Sequence, residues 1–165
     1  MLRNKYRPSH PDRFRVDFRS GNFASQLLAV REFEDGEIIA TLEGITEGPK
    51  RYSSVQISRD MHIELNSDLL YMNHSCDPSA IIDVSARQVR ATRFIPANTP
   101  ITFFYPSTEW EMAQPFSCNC GARNCLGSIK GAKWIEEDRL KDFWCNEHIW
   151  VLKREQSGNG ERNKA

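Results

Sequence analysis

The chain has 165 residues, of which 39% are hydrophobic and 27% charged. That length suits one domain with a real core, the composition is that of a soluble globular protein, and no apolar run approaches the length of a membrane span. Formal net charge is zero, which excludes a global field favouring nucleic acid. The charge is uneven, however: residues 1–20 hold Arg3, Lys5, Arg7, Arg13, Arg15 and Arg19 against Asp12 and Asp17. Two readings follow, a solvated flexible terminus over residues 1–13 or an arm that touches DNA, chromatin or another acidic partner. The N-terminus lacks the apolar stretch of a secretory signal. The expected location is therefore intracellular, nuclear or cytoplasmic, where thiols stay reduced.

Residues 1–12, with Pro8 and Pro11, read as loose. Residues 14–18 alternate apolar and polar, a strand pattern. Leu27-Leu28-Ala29-Val30 and, after Glu34-Asp35-Gly36, Ile38-Ile39-Ala40-Thr41-Leu42 are short, β-branched and turn-bounded, hence strands. Residues 44–50 read as a loop; 52–57 and 62–65 are extended. Residues 80–84 and 89–94 pair as a hairpin across Ser85-Ala86-Arg87. Pro96-Ala97-Asn98-Thr99-Pro100 then turns into the strand-like Ile101-Thr102-Phe103-Phe104-Tyr105. Residues 106–132 are rich in Gly, Pro and Cys and hold no shape unaided. Ile135, Leu140, Phe143, Trp144, Ile149, Val151 and Leu152 set an interrupted amphipathic helix over 135–155 within a segment of 133–156. Residues 157–165, opening on Ser157-Gly158-Asn159-Gly160, read as a flexible tail. The fold class is mainly β with a C-terminal helix.

Five cysteines in a reducing compartment suit metal ligation better than disulfides. Cys118, Cys120 and Cys125 follow a C-x-C-x4-C spacing tight enough to wrap one ion, with Gly121 letting the chain reverse. A closed tetrahedral zinc site needs a fourth ligand. Cys76, in a polar turn before Asp77-Pro78, and Cys145 are the candidates, with His74 and His148 as outsiders. Cys145, beside Phe143 and Trp144, has the setting of a small buried hydrophobe.

Asn73-His74-Ser75-Cys76-Asp77-Pro78 resembles the NHSCxP signature of SET-domain protein lysine methyltransferases. Ile101-Thr102-Phe103-Phe104-Tyr105 is similar to the family's second motif, L-T-F-D-Y, and Cys118, Cys120 and Cys125 to its post-SET zinc segment. Residues 27–37, ending Asp35-Gly36-Glu37, look like the family's opening strand and turn. The resemblance implies a SET domain over 14–112, a β-clip-like fold of short twisted sheets with a knot-like crossing, and a post-SET zinc segment over 113–132. It implies S-adenosylmethionine as methyl donor and zinc held by Cys76, Cys118, Cys120 and Cys125. Departures are Ala24-Ser25-Gln26 where the family carries G-x-G, Leu70 for an arginine, Ser79 for an asparagine and Phe104 for an aspartate.

The resemblance assigns Tyr105 the catalytic position. With an ordinary pKa near 10, a tyrosine orients the amine and methyl group rather than accepting a proton at neutral pH. Phe103 and Tyr71 are substrate-channel candidates, and a phenyl at 103 leaves room for more than one methyl. Asn73, His74, Ser25, Gln26 and Leu126 are the expected cofactor contacts. The implied activity is methyl transfer to lysine of a protein or peptide, histones included; the alternatives are a non-catalytic zinc-containing module and a methyltransferase for a non-protein acceptor.

Overall fold

The computed structural model describes residues 5–164; Arg3 of the basic segment lies outside them. β1 (Phe14–Asp17) pairs antiparallel with β2 (Gln26–Ala29), Phe14 opposite Ala29. Alternation buries Phe14 and Val16 and leaves Arg15 in water. β3 (Ile38–Thr41) waits for a later pair. β4 (Thr46–Gly48), β5 (Ser54–Gln56) and β6 (His62–Glu64) form a sheet of order β4-β6-β5. After β7 (Asn73–His74) comes a hairpin of β8 (Ala80–Asp83) and β9 (Gln88–Ala91), which β3 joins in the order β3-β9-β8. β10 (Thr102–Phe103) runs parallel to β7, with Thr102 opposite Asn73 and Phe103 opposite His74. This crossing puts two motif-bearing segments side by side. β11 (Phe116–Ser117) and β12 (Ser128–Ile129) close the cysteine-rich loop, and α1 (Glu137–Leu140) and α2 (Glu147–Arg162) finish the chain.

Two hydrophobic cores result. One packs Phe14, Leu27, Phe33, Ile39, Ile82 and Ile101; the other packs Phe104, Cys118, Ile129, Leu140, Phe143 and Ile149, and Tyr105 touches both. The phenyl at 104, where the motif it resembles commonly carries an aspartate, is explained by the second core: its ring stacks on Phe143 at 4.0 Å with planes 7° apart. Asn146 ties the cores together, donating to the Ile82 and Ser107 carbonyls and accepting from the Val84 N–H. Gly131 lets the chain leaving β12 pass close by. Its φ is 119°, and a Cβ there would lie 2.2 Å from the Trp110 carbonyl oxygen.

Four expectations are corrected. Residues 46–48 are a strand, not loop, because their backbone pairs with β6. The strand expected to reach Tyr105 stops at Phe103, where a 3-10 turn of Tyr105–Ser107 begins with Pro106 inside it. The described part of the N-terminal arm is tied down: the Tyr6 hydroxyl and Ser9 N–H donate to Asp68, and Ser9 Oγ accepts from its backbone N–H. The tail is helical through Gly158 and Gly160 to Arg162. Its first turns dock through Ile149 and Lys153, after which each further helical residue adds without a new nucleus.

Candidate active site and thiol cluster

A cleft of about 890 Å3 opens between the β4-β6-β5 sheet, the segment before β7, the end of β10 and the loop leading into β11; Ser25, Tyr71, Asn73, His74, Phe103 and Tyr105 are among its walls. Tyr105 is fixed at both ends. Its hydroxyl donates to the Met72 carbonyl at 2.8 Å, and its backbone N–H donates to His74 Nδ1 at 3.1 Å. Rings surround it, with Phe103 at 4.8 Å, His74 at 5.3 Å and Phe116 at 5.9 Å. Burial raises its pKa well beyond the ordinary phenol value, so it stays protonated at neutral pH.

His74 joins two features of the site. Because Nδ1 accepts the Tyr105 N–H, the proton of the neutral ring sits on Nε2, which faces Cys76 Sγ at 3.3 Å. Burial pushes the imidazole down to about 4. The Leu126 N–H donates to the same sulfur at 3.4 Å. Two N–H donors on one sulfur would stabilise a thiolate there once a metal displaces its proton.

The sulfurs of Cys76, Cys118, Cys120 and Cys125 lie within 4.8 Å of one another. A tetrahedral zinc with bonds of about 2.3 Å needs sulfurs about 3.8 Å apart, so small inward movements close the site. Burial pushes Cys76 up and Cys118 up to about 11. Cys120 is drawn down to about 7: burial opposes this, but the Ala122 and Cys76 backbones and the neighbouring thiols outweigh it. Cys145 lies apart from the cluster, 7% exposed in the second core.

The other predicted residues divide. Phe103 is buried against Tyr105, and Tyr71 is half-buried with its ring edge on Phe18. The Asn73 amide donates to the Ser25 carbonyl at 3.1 Å, so it holds the opening loop against β7. Residues 24–26 need no glycine conformation; positive φ in this loop falls on Gly21, at 111°, and Phe23, at 58°. Gln26 instead donates to Asp17, and neither it nor Leu126 is among the residues lining the cleft. Among the lining residues that escape sequence reasoning, Phe23 meets Tyr52 edge to face at 5.6 Å, and Glu109 follows Tyr105 by one helical turn.

No protein-family model matches the chain. Over 145 residues, 86% of this chain and 82% of its relative, it is 40% identical to Methyltransferase flvH of Aspergillus flavus. It is also 33% identical over 129 residues to Histone-lysine N-methyltransferase mes-4 of Caenorhabditis elegans. This chain belongs to the SET-domain methyltransferases. The match to mes-4 covers 59% of this SET-domain methyltransferase but 14% of mes-4 itself. Among solved structures, KRYPTONITE in complex with mCHG DNA and SAH superposes with a TM-score of 0.54 at 19% identity, over 70% of this chain and 29% of KRYPTONITE. KRYPTONITE with mCHH DNA, an H3(1-15) peptide and SAH gives 0.51 at 20%, over the same shares. The likeness establishes the SET-domain fold, short sheets with a C-terminal helix.

Proposed function

We propose that this methyltransferase moves methyl groups from S-adenosylmethionine to lysine side chains of a protein or peptide, and that the four clustered thiols hold a structural zinc ion. The observation carrying the reading is Tyr105, a phenol fixed at both ends within a cleft that Asn73 and His74 also line. When bound, the donor supplies an activated methyl on a sulfonium. The hydroxyl hydrogen of Tyr105 is engaged by Met72, so its oxygen lone pairs are left for the cleft, where they orient the amine through its N–H. Phe103 and the Tyr105 ring exclude water and favour the neutral amine, the form with a lone pair. The proton leaves to water, since Tyr105 stays protonated throughout. The donor set fits zinc by sulfur spacing and by the two N–H groups on Cys76. Chromatin contact through the N-terminal segment would rest on Lys5, Arg7 and Arg15, which are exposed; Arg13 is spent on the Ile38 and Ile39 carbonyls and Arg19 on Asp17.

A second reading, methylation of a small amine, is favoured by the short segment between β3 and β7. It offers a substrate one three-stranded sheet as a wall. Tritiated methyl transfer onto histones, a lysine-peptide library and free amines separates the two. Tyr105→Phe is expected to lose turnover while keeping SAH affinity; normal turnover in that variant refutes the mechanism.

A further inference from the structure

Glu109 is a carboxylate without a counter-ion. It is half-buried among the cleft residues, next to Thr108 and one turn beyond Tyr105, whose carbonyl accepts its N–H at 3.0 Å. Its Oε2 accepts the Gln56 N–H at 3.0 Å. Its backbone is clamped from the other side, where the Ala132 N–H donates to its carbonyl. Of the cations nearby, Arg51, also on the cleft, lies 3.5 Å from Glu64, and Lys50 lies 3.9 Å from Glu111. No Lys, Arg or His among the described residues comes within ion-pairing distance of Glu109. Burial accordingly raises its carboxyl to about 7, against the lowering pull of the Gln56 N–H, Thr108 and Lys50.

An unpaired, partly desolvated carboxylate is costly to keep. A hydroxyl or amide would serve a merely structural role as the acceptor for Gln56. The missing partner is a cation that arrives with the substrate. We propose that Glu109 is the counter-ion for the ammonium form of the acceptor amine, seating it in the cleft ahead of methyl transfer. The inference rests on the reading of the chain as an amine methyltransferase. A neighbouring carboxylate favours the charged amine, so Glu109 serves capture; the transfer step belongs to the neutral amine beside Tyr105. Its signature is therefore in KM rather than kcat.

The test uses the full chain, zinc-supplemented and saturated with SAH. Two probes are titrated, Nα-acetyl-lysine-N-methylamide and its uncharged isostere Nα-acetyl-norleucine-N-methylamide. In wild type the lysine probe binds at least tenfold tighter and shifts the Glu109 carboxyl carbon signal, which is assigned by its loss in Glu109→Gln. Glu109→Gln keeps the acceptor for Gln56. It is expected to erase the preference for lysine while SAH affinity stays within twofold, and with S-adenosylmethionine to raise KM tenfold with little change in kcat. Equal affinity for the two probes in wild type, or an unchanged preference in Glu109→Gln, overturns the inference. Absence of any methyl transfer to lysine, peptide or free amine is a different outcome and overturns the functional reading beneath it.

Discussion

The same carboxylate makes folding stability depend on pH in a direction opposite to that of most acidic groups. Its ordinary pKa of 4.5 rises to about 7 in the folded chain, chiefly through burial. Below pH 4.5 both folded and unfolded chains hold the proton, and Glu109 costs nothing. Between 4.5 and 7 the unfolded chain ionises first, so stability drains away as pH rises; above 7 the whole penalty is present. A carboxyl displaced that far costs about 3 kcal/mol at 1.36 kcal/mol per pH unit. Glutamine has the same shape and accepts the same N–H but does not titrate. Glu109→Gln should therefore gain on wild type by about 3 kcal/mol between pH 5 and 8, or roughly 6–12 °C in Tm for a chain of this size. Urea unfolding of both proteins at matched pH, zinc and reductant measures the difference, in which the titration of every other group cancels. A difference that stays flat from pH 5 to 8 refutes the burial argument for Glu109.

Replacing Cys118 with serine, or stripping metal with a chelator, should remove one equivalent of zinc by elemental analysis and open residues 112–131 to hydrogen exchange, because binding free energy there is folding free energy. A chain that purifies without metal and whose exchange ignores the chelator would sink the zinc assignment. Restoring the family's aspartate with Phe104→Asp buries an unpaired charge against Phe143 and loses a stacked ring; a destabilisation of about 3–5 kcal/mol is expected by urea titration. Phe103→Tyr should shift product toward monomethylation in mass spectra, since the added hydroxyl takes space beside Tyr105; wild type that already stops at one methyl refutes that reading of Phe103.

What could be read from the sequence is what side-chain pattern dictates. β1, β2 and the β8–β9 hairpin announce themselves by apolar alternation or short apolar runs between turn residues, and the three clustered cysteines by spacing. β4 does not, because Thr46-Glu47-Gly48 has no apolar side chain and is held by backbone pairing alone. The end of α2 carries two glycines, each unfavourable by about 1 kcal/mol in a helix, so local propensity pointed to coil where the docked turns prevail. Glu109 and Asn146 are invisible for another reason. Their partners lie 53 residues away for Glu109, and 39 and 64 for Asn146, and neither falls in a motif. The cleft itself is legible only as segments: motif residues point to Tyr105, Asn73 and His74, whereas the match of Gln26 to a glycine says nothing of where its longer side chain turns, which is onto Asp17.

The imidazole of His74 touches the thiol cluster with one nitrogen and the backbone of Tyr105 with the other. With zinc in the cluster and the methyl donor in the cleft, as proposed above, two binding equilibria would share a single ring. Whatever factor the metal adds to the affinity for the methyl donor, the donor must return to the affinity for the metal. A protein engaged with its donor would then hold its ion longer against a chelator than an idle one, and resistance to metal loss would itself report occupancy of the cleft.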